Sequence, residues 1–255
     1  MSKKINKKNL VNNKNLVNSN NLIIGVFLVI IFYLVYKYVI KTYENYENNE
    51  IPKIIHQTAP KDKAKWHKDW ITCQESWRKK FPDFEYKMWT DEDNDNLIKK
   101  EYPWFLATYN KYEKKINKID IVRYFILDKY GGIYADMDYI CIKNFYNEIP
   151  KDKVSISESP YKENEMLQNA LMCSPKKHKF WMKVIMEGKK RMDNNDNIND
   201  VLYIAGPQLI SKVYEDNKDD VNMLPFDKYN PKKQTDEFNN DANLFTKHLF
   251  TNSWT

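Results

Sequence analysis

Five glycines serve a chain of 255 residues, and two of them stand together at Gly131 and Gly132. Ahead of the pair, over Ile116 to Tyr130, apolar residues at 119, 122, 126 and 130 recur with the period of a helix. Gly131 then falls where a helix takes its C-terminal cap. Behind the pair, Ile133-Tyr134-Ala135 reads as a short buried strand ending in Asp136-Met137-Asp138, and Tyr139-Ile140-Cys141-Ile142 reads as the next strand. The helix thus leads through the glycine pair straight into the strand that carries Asp136.

The neighbouring segments agree. Ile51-Pro52-Lys53-Ile54-Ile55-His56-Gln57 reads as a first buried strand, Trp66 to Lys80 as a helix, and Phe84 to Trp89 as a second strand. Thr90-Asp91-Glu92-Asp93 has the form of a capping box opening a helix. Downstream, Val154 to Ser157 and Ala170 to Cys173 read as strands, Lys177 to Arg191 as a helix, and Gly206-Pro207 as a helix start. Residues 193–200 and 227–243 read as polar loops, and Leu244 to Trp254 as a tail that returns to the core. The expectation is an α/β fold with a mainly parallel sheet.

Residues 22–40 stand apart. LIIGVFLVIIFYLVY is free of charge, and Lys37 followed by YVI extends the apolar run to Ile40, which approaches the thickness of a bilayer core. Five Lys precede the run, whereas Glu44, Glu47 and Glu50 follow it. This bias predicts a cytoplasmic tail over 1–21, a transmembrane signal anchor over 22–40, a linker over 41–50 and a luminal domain over 51–255, in a Golgi- or ER-like compartment. A cleaved signal peptide is the competing reading, but no small-x-small site follows the run.

Charge excludes one function class. The chain carries 41 basic and 35 acidic residues, but residues 51–255 hold 34 and 32 of them, a net of only +2. Affinity for phosphate backbones needs a concentrated basic surface, so nucleic acid is not an expected partner. Cys73, Cys141 and Cys173 have no metal-binding spacing and allow at most one internal disulfide.

Three Asp-x-Asp pairs occur, at 91/93, 93/95 and 136/138, and the first two lie in a solvated helix start. Asp136 and Asp138 follow a buried strand at its carboxyl end, where open α/β sheets place their ligands. Two residues apart on an extended segment, their carboxylates can converge on one divalent cation. Asp120 and Arg123, three apart, share one face of the preceding helix. Taken singly, these residues read more readily as a surface ion pair and a calcium-like or merely solvated loop. Together, an arginine and a metal-binding carboxylate pair suit a diphosphate, because both neutralise the charge of a departing phosphate.

On IPKIIHQ, the Asp120/Arg123 helix, GGIYADMD, Gly206-Pro207 and the terminal His248-x4-Ser253-Trp254, the chain over 51–255 resembles glycosyltransferase family 32, the DXD-motif sugar transferases. The resemblance implies a GT-A-type Rossmann-like domain, a nucleotide-sugar donor (GDP-mannose or a UDP-hexose), Mn²⁺ or Mg²⁺, and retention of anomeric configuration. It implies further that Asp136 contacts donor ribose and metal, that Asp138 ligates the metal, and that Asp120 and Tyr134 hold the donor. Arg123 would bridge sugar and diphosphate. His248, Asn252, Ser253 and Trp254 would close over the diphosphate, with His248 or Asn252 as a further metal ligand. His56 and Gln57, at the end of the first strand, read equally as nucleotide-pocket residues and as a strand-end polar pair. Thr58-Ala59-Pro60 supplies no aromatic to stack on a base. The resemblance leaves a glycan, a glycolipid and a protein equally open as the acceptor.

Two other readings stay open. A membrane-anchored structural or adhesion protein could retain such a fold without activity. An Asp-nucleophile phosphatase also places Asp-x-Asp at a strand end, but typically on the first strand and with Thr or Val where this chain has Ile140.

Overall fold

The computed structural model describes residues 24–38, 50–161, 166–232 and 243–251. The chain divides into two units, Met1–Glu47 and Asn48–Thr255. In the first, residues 24–38 form helix α1. Among the described residues no helix is long and apolar enough to cross a membrane. Positions 22, 23, 39 and 40 of the expected anchor, the tail over 1–21 and residues 41–49 of the linker lie outside the described residues.

The second unit opens with β1 (Ile54–Thr58), α2 (Trp70–Lys80), β2 (Glu85–Trp89), α3 (Asp91–Glu101), α4 (Leu106–Lys111) and α5 (Lys115–Tyr130). It continues through β3 (Gly132–Ala135), β4 (Tyr139–Cys141), β5 (Val154–Glu158), β6 (Leu167–Ser174), α6 (Lys179–Asp193) and α7 (Val201–Ile204). It closes with α8 (Pro207–Glu215), β7 (Val221–Leu224), α9 (Phe226–Tyr229) and β8 (Thr246–His248). Six strands form one sheet in the order β2-β1-β3-β6-β5-β7, and β4 pairs with β8 in a second.

The sheet is parallel-rich, as expected, with three of its five strand pairings parallel and one strand reversed. β1 runs parallel to β2 and β3, and β5 parallel to β7, but β6 is antiparallel to both β3 and β5. The reason is the short connection from Glu158 to Leu167: it leaves no room for the crossover that a parallel pair requires. β7 had no counterpart in the sequence pattern. The α2 helix begins at Trp70, not Trp66, because the Trp66 indole turns back to donate to the Pro60 carbonyl at 2.8 Å after a 3-10 turn over Lys63–Lys65. Thr90 and Asp93 form the expected capping box.

The turn at Gly131-Gly132 is sterically obligatory. Gly131 has φ +63° and Gly132 φ +91°; a Cβ on Gly131 would lie 2.7 Å from Lys176 N, and one on Gly132 2.6 Å from the Ile54 carbonyl oxygen. Ahead of it, α5 is covered on every side from Asp120 to Asp128. The helix expected over 116–130 is the central helix of the unit, and its aromatic residues pack in one core cluster with Trp181, Phe105 and Met172. The other face of the sheet is filled by Trp77, Phe81, Phe145 and Tyr139. The tail does return to the core: Tyr139 pairs with His248 in the β4–β8 ladder, and Leu244 and Leu249 are buried.

Candidate active site

β3 carries Asp136 to the carboxyl end of the sheet. The Asp136 N–H donates to the Ala170 carbonyl at 2.9 Å, and the Tyr139 N–H donates back to the Asp136 carbonyl at 3.0 Å, so residues 136–139 form a tight turn. β4 leaves that turn paired with β8, which sets Asp138 beside His248 at 3.1 Å between Oδ1 and Nε2. The Thr251 N–H and hydroxyl both donate to Asp138 Oδ2 at 3.0 Å. Residues far apart in sequence are thus joined at one cleft of about 410 Å³.

Arg123 organises the floor of this cleft. Its Nη2 lies 2.6 Å from Asp120 Oδ1, and its Nη1 donates to Asp136 Oδ2 at 3.1 Å and to the Asn169 carbonyl at 2.8 Å. The pair is buried, not the surface ion pair that the isolated residues allowed. Burial pushes the Asp120 carboxyl up to about 6 against the opposite pull of Arg123, and pushes the Asp136 carboxyl up for the same reason. Burial also raises Asp138, but the neighbouring His248 and the Thr251 hydrogen bonds outweigh it and hold that carboxyl well below the usual range.

Asp136, Asp138 and His248 each offer a ligand atom within 4.8 Å of the others. His248 Nδ1 is buried without a hydrogen-bond partner, and the ring stacks on Tyr139 at 4.8 Å. Two carboxylates and an imidazole make an oxygen-rich donor set that fits a divalent cation such as Mn²⁺ or Mg²⁺.

The remaining expected residues divide. Asp120, Arg123, Asp136, Asp138 and His248 all line the cleft. Tyr134 is fully buried, does not line it, and donates its hydroxyl to Asp136 Oδ1 at 3.0 Å, so it braces the carboxylate from behind. His56 does not line the cleft either. Its Nε2 donates to the Gly131 carbonyl at 2.9 Å and its Nδ1 accepts from the Trp89 indole at 3.1 Å, which makes it a buried clamp on the glycine turn. Burial lowers its imidazole to about 3, so it stays neutral. Gln57 is likewise buried beside the cleft, donating to the Asp136 carbonyl at 3.1 Å. Of these strand-end readings, the structural one describes the geometry. Asn252, Ser253 and Trp254 lie outside the described residues. The three cysteines are free and buried.

Sequence reasoning missed Asn169 and Trp70. Asn169 Nδ2 donates to Asp120 Oδ1 at 3.1 Å and to the Tyr124 hydroxyl at 3.2 Å, fixing the carboxylate that Arg123 faces. Nothing in its local pattern marks it; only the β3–β6 pairing delivers it. Trp70, at the start of α2, lines the cleft together with Thr58, Ala59 and Pro60. Its indole N–H is buried without a partner.

Comparisons with known proteins fit this geometry. Mannosyl phosphorylinositol ceramide synthase CSH1 of Saccharomyces cerevisiae is 36% identical over 170 residues, covering 66% of this chain and 43% of the relative. Inositol phosphoceramide mannosyltransferase 3 of Schizosaccharomyces pombe is 33% identical over 193 residues, covering 72% and 52%. The chain therefore spans about half the length of these curated relatives. Among solved structures, the PaToxG glycosyltransferase superposes with a TM-score of 0.54 at 18% identity, over 72% of this chain and 79% of that one, which shows a shared fold. A family model, the glycosyltransferase sugar-binding region containing the DXD motif, matches residues 67–156. That span holds Asp120, Arg123, Asp136 and Asp138, and over it the chain is similar to the sugar-binding region of DXD-containing glycosyltransferases.

Proposed function

We propose that this chain is a metal-dependent, retaining mannosyltransferase that moves mannose from a nucleotide sugar, GDP-mannose first among the donors, to a glycolipid acceptor. The observation that carries the reading is the meeting of Asp136, Asp138 and His248 at one cleft with Arg123 bonded behind them. The relatives named above for mannosyl transfer to inositol phosphoceramide support both the sugar and a lipid acceptor. The apolar wall made by Ile116, Ile119, Val201 and Leu202 suits an amphiphile.

In this reading a divalent cation held by Asp136, Asp138 and His248 supplies charge neutralisation for the departing diphosphate. Arg123 keeps the Asp136 carboxylate aimed at the cleft and adds a fixed positive charge beside it. Asp120, oriented by Asn169, offers an acceptor to a sugar hydroxyl. No protein base is assigned, since a departing phosphate oxygen can take the acceptor proton. Residues 22–40 anchor the domain to the membrane of its acceptor, on the luminal side.

The test is donor turnover by the full 255-residue chain across GDP- and UDP-sugars with Mn²⁺, beside Asp138→Asn. Nucleoside diphosphate released from GDP-mannose and lost in the variant supports the reading. Silence across the panel, with no metal-dependent nucleotide binding, overturns it in favour of a structural protein.

A further inference from the structure

The carbonyl of Asp136 is held by a chain of side chains that begins on α2 and passes through the edge strand β2. Gln57 Nε2 faces that carbonyl at 3.1 Å, and a carbonyl can only accept, so the Gln57 amide nitrogen must be the donor there. Gln57 Oε1 is then left to accept from the Tyr86 hydroxyl. With its one proton spent, the Tyr86 oxygen accepts from Gln74 Nε2 at 3.0 Å. Donation therefore runs in one direction, from Gln74 through Tyr86 and Gln57 to Asp136, an arrangement in which each bond polarises the next.

Tyr86 is fixed for this task. The Arg78 guanidinium lies 3.9 Å from the centre of its ring, and burial pushes its hydroxyl up to about 12, so it remains a donor at neutral pH. The carbonyl it serves through Gln57 also receives the Tyr139 N–H, the bond that closes the turn between the two carboxylates.

We propose that Tyr86 is a positioning residue for the cation site: by fixing the Gln57 amide it holds the 136–139 turn closed and so sets the spacing of Asp136 and Asp138. The proposal rests on the cation reading above. Tyr86 does not line the cleft, so it acts only through Gln57. A role in packing alone would lower the melting temperature of Tyr86→Phe and leave cation affinity unchanged.

The measurement is calorimetric titration of Mn²⁺ into the full chain, Tyr86→Phe, Gln57→Met and the double variant, beside melting curves without metal. Tyr86→Phe is expected to bind Mn²⁺ roughly ten-fold more weakly, the scale on which groups orienting metal ligands act. The double variant is expected to be no weaker than Gln57→Met alone. Wild-type Mn²⁺ affinity in Tyr86→Phe, or losses that add in the double variant, would overturn the proposal. Should Tyr86→Phe not fold, wild-type affinity in Gln57→Met would do the same. A wild-type chain that binds no Mn²⁺ overturns the cation reading and this proposal together.

Discussion

Arg123 and Asp120 form a buried charge pair at 2.6 Å, one turn apart on α5, with the arginine side chain only 3% exposed. Leaving one member of such a pair alone costs about 3–5 kcal/mol, because the remaining charge stays out of water. Arg123→Met is therefore expected to lower the unfolding free energy by that amount. Arg123→Lys keeps a charge but cannot serve Asp120, Asp136 and the Asn169 carbonyl at once. It should fold and lose donor turnover by about 10²- to 10³-fold. Urea melts and nucleoside diphosphate release check the two outcomes.

Asn169→Ala removes the amide that donates to Asp120 and Tyr124. With Asp120 held by Arg123 alone, the carboxylate gains rotational freedom, and the buried oxygens lose a partner at about 1–3 kcal/mol. Steady-state kinetics should show reduced turnover at saturating donor, with Mn²⁺ affinity unchanged. Weakened Mn²⁺ binding would instead place Asn169 in the support of Asp136.

Gly132→Ala must place a Cβ 2.6 Å from the Ile54 carbonyl oxygen at φ +91°. Both the contact and the dihedral oppose it, and a loss of about 3 kcal/mol or more is expected. Gly25→Ala meets nothing within 4 Å and serves as the control. Soluble yield and melting temperature read the difference.

His56 gives the fold an acid limit. Its imidazole is lowered from 6.5 to about 3 by burial, so below pH 6.5 the unfolded chain takes up a proton that the folded protein refuses. This stability is fully present above pH 6.5 and is lost progressively as pH falls toward 3, on the order of a few kcal/mol in all. His56→Gln should start from a lower plateau and show a shallower acid limb in melting curves taken between pH 7 and 4.

Mn²⁺ should raise the melting temperature of the full chain, since a ligand at 1,000 times its Kd adds about 4 kcal/mol to a state that alone binds it. Asp138→Asn and His248→Ala should lose most of that increment, and chelation should reverse it. An equal shift in wild type and both variants would place the cation elsewhere.

The chain order of the α/β unit was written in local pattern: the capping box at Thr90, the strand before Gln57, and the glycine turn that no other residue can make beside Ile54. These depend on neighbours a few residues apart, so the sequence alone determines them. The nearness of Asp136 and Asp138 was legible from their two-residue spacing, but not its geometry: the tight turn closed by the Tyr139 N–H on the Asp136 carbonyl, not an extended segment, sets the two carboxylates. The direction of β6, the burial of α5 on all sides and the delivery of Asn169, Trp70 and His248 to one cleft were decided by tertiary structure. Each depends on contacts between segments distant in sequence. The same limit explains His56: a polar residue at a strand end has one sequence signature whether it faces a ligand or, as here, is enclosed by Trp89 and Gly131. Local periodicity records which way a side chain points from its own element; what lies opposite is fixed only when the layers pack.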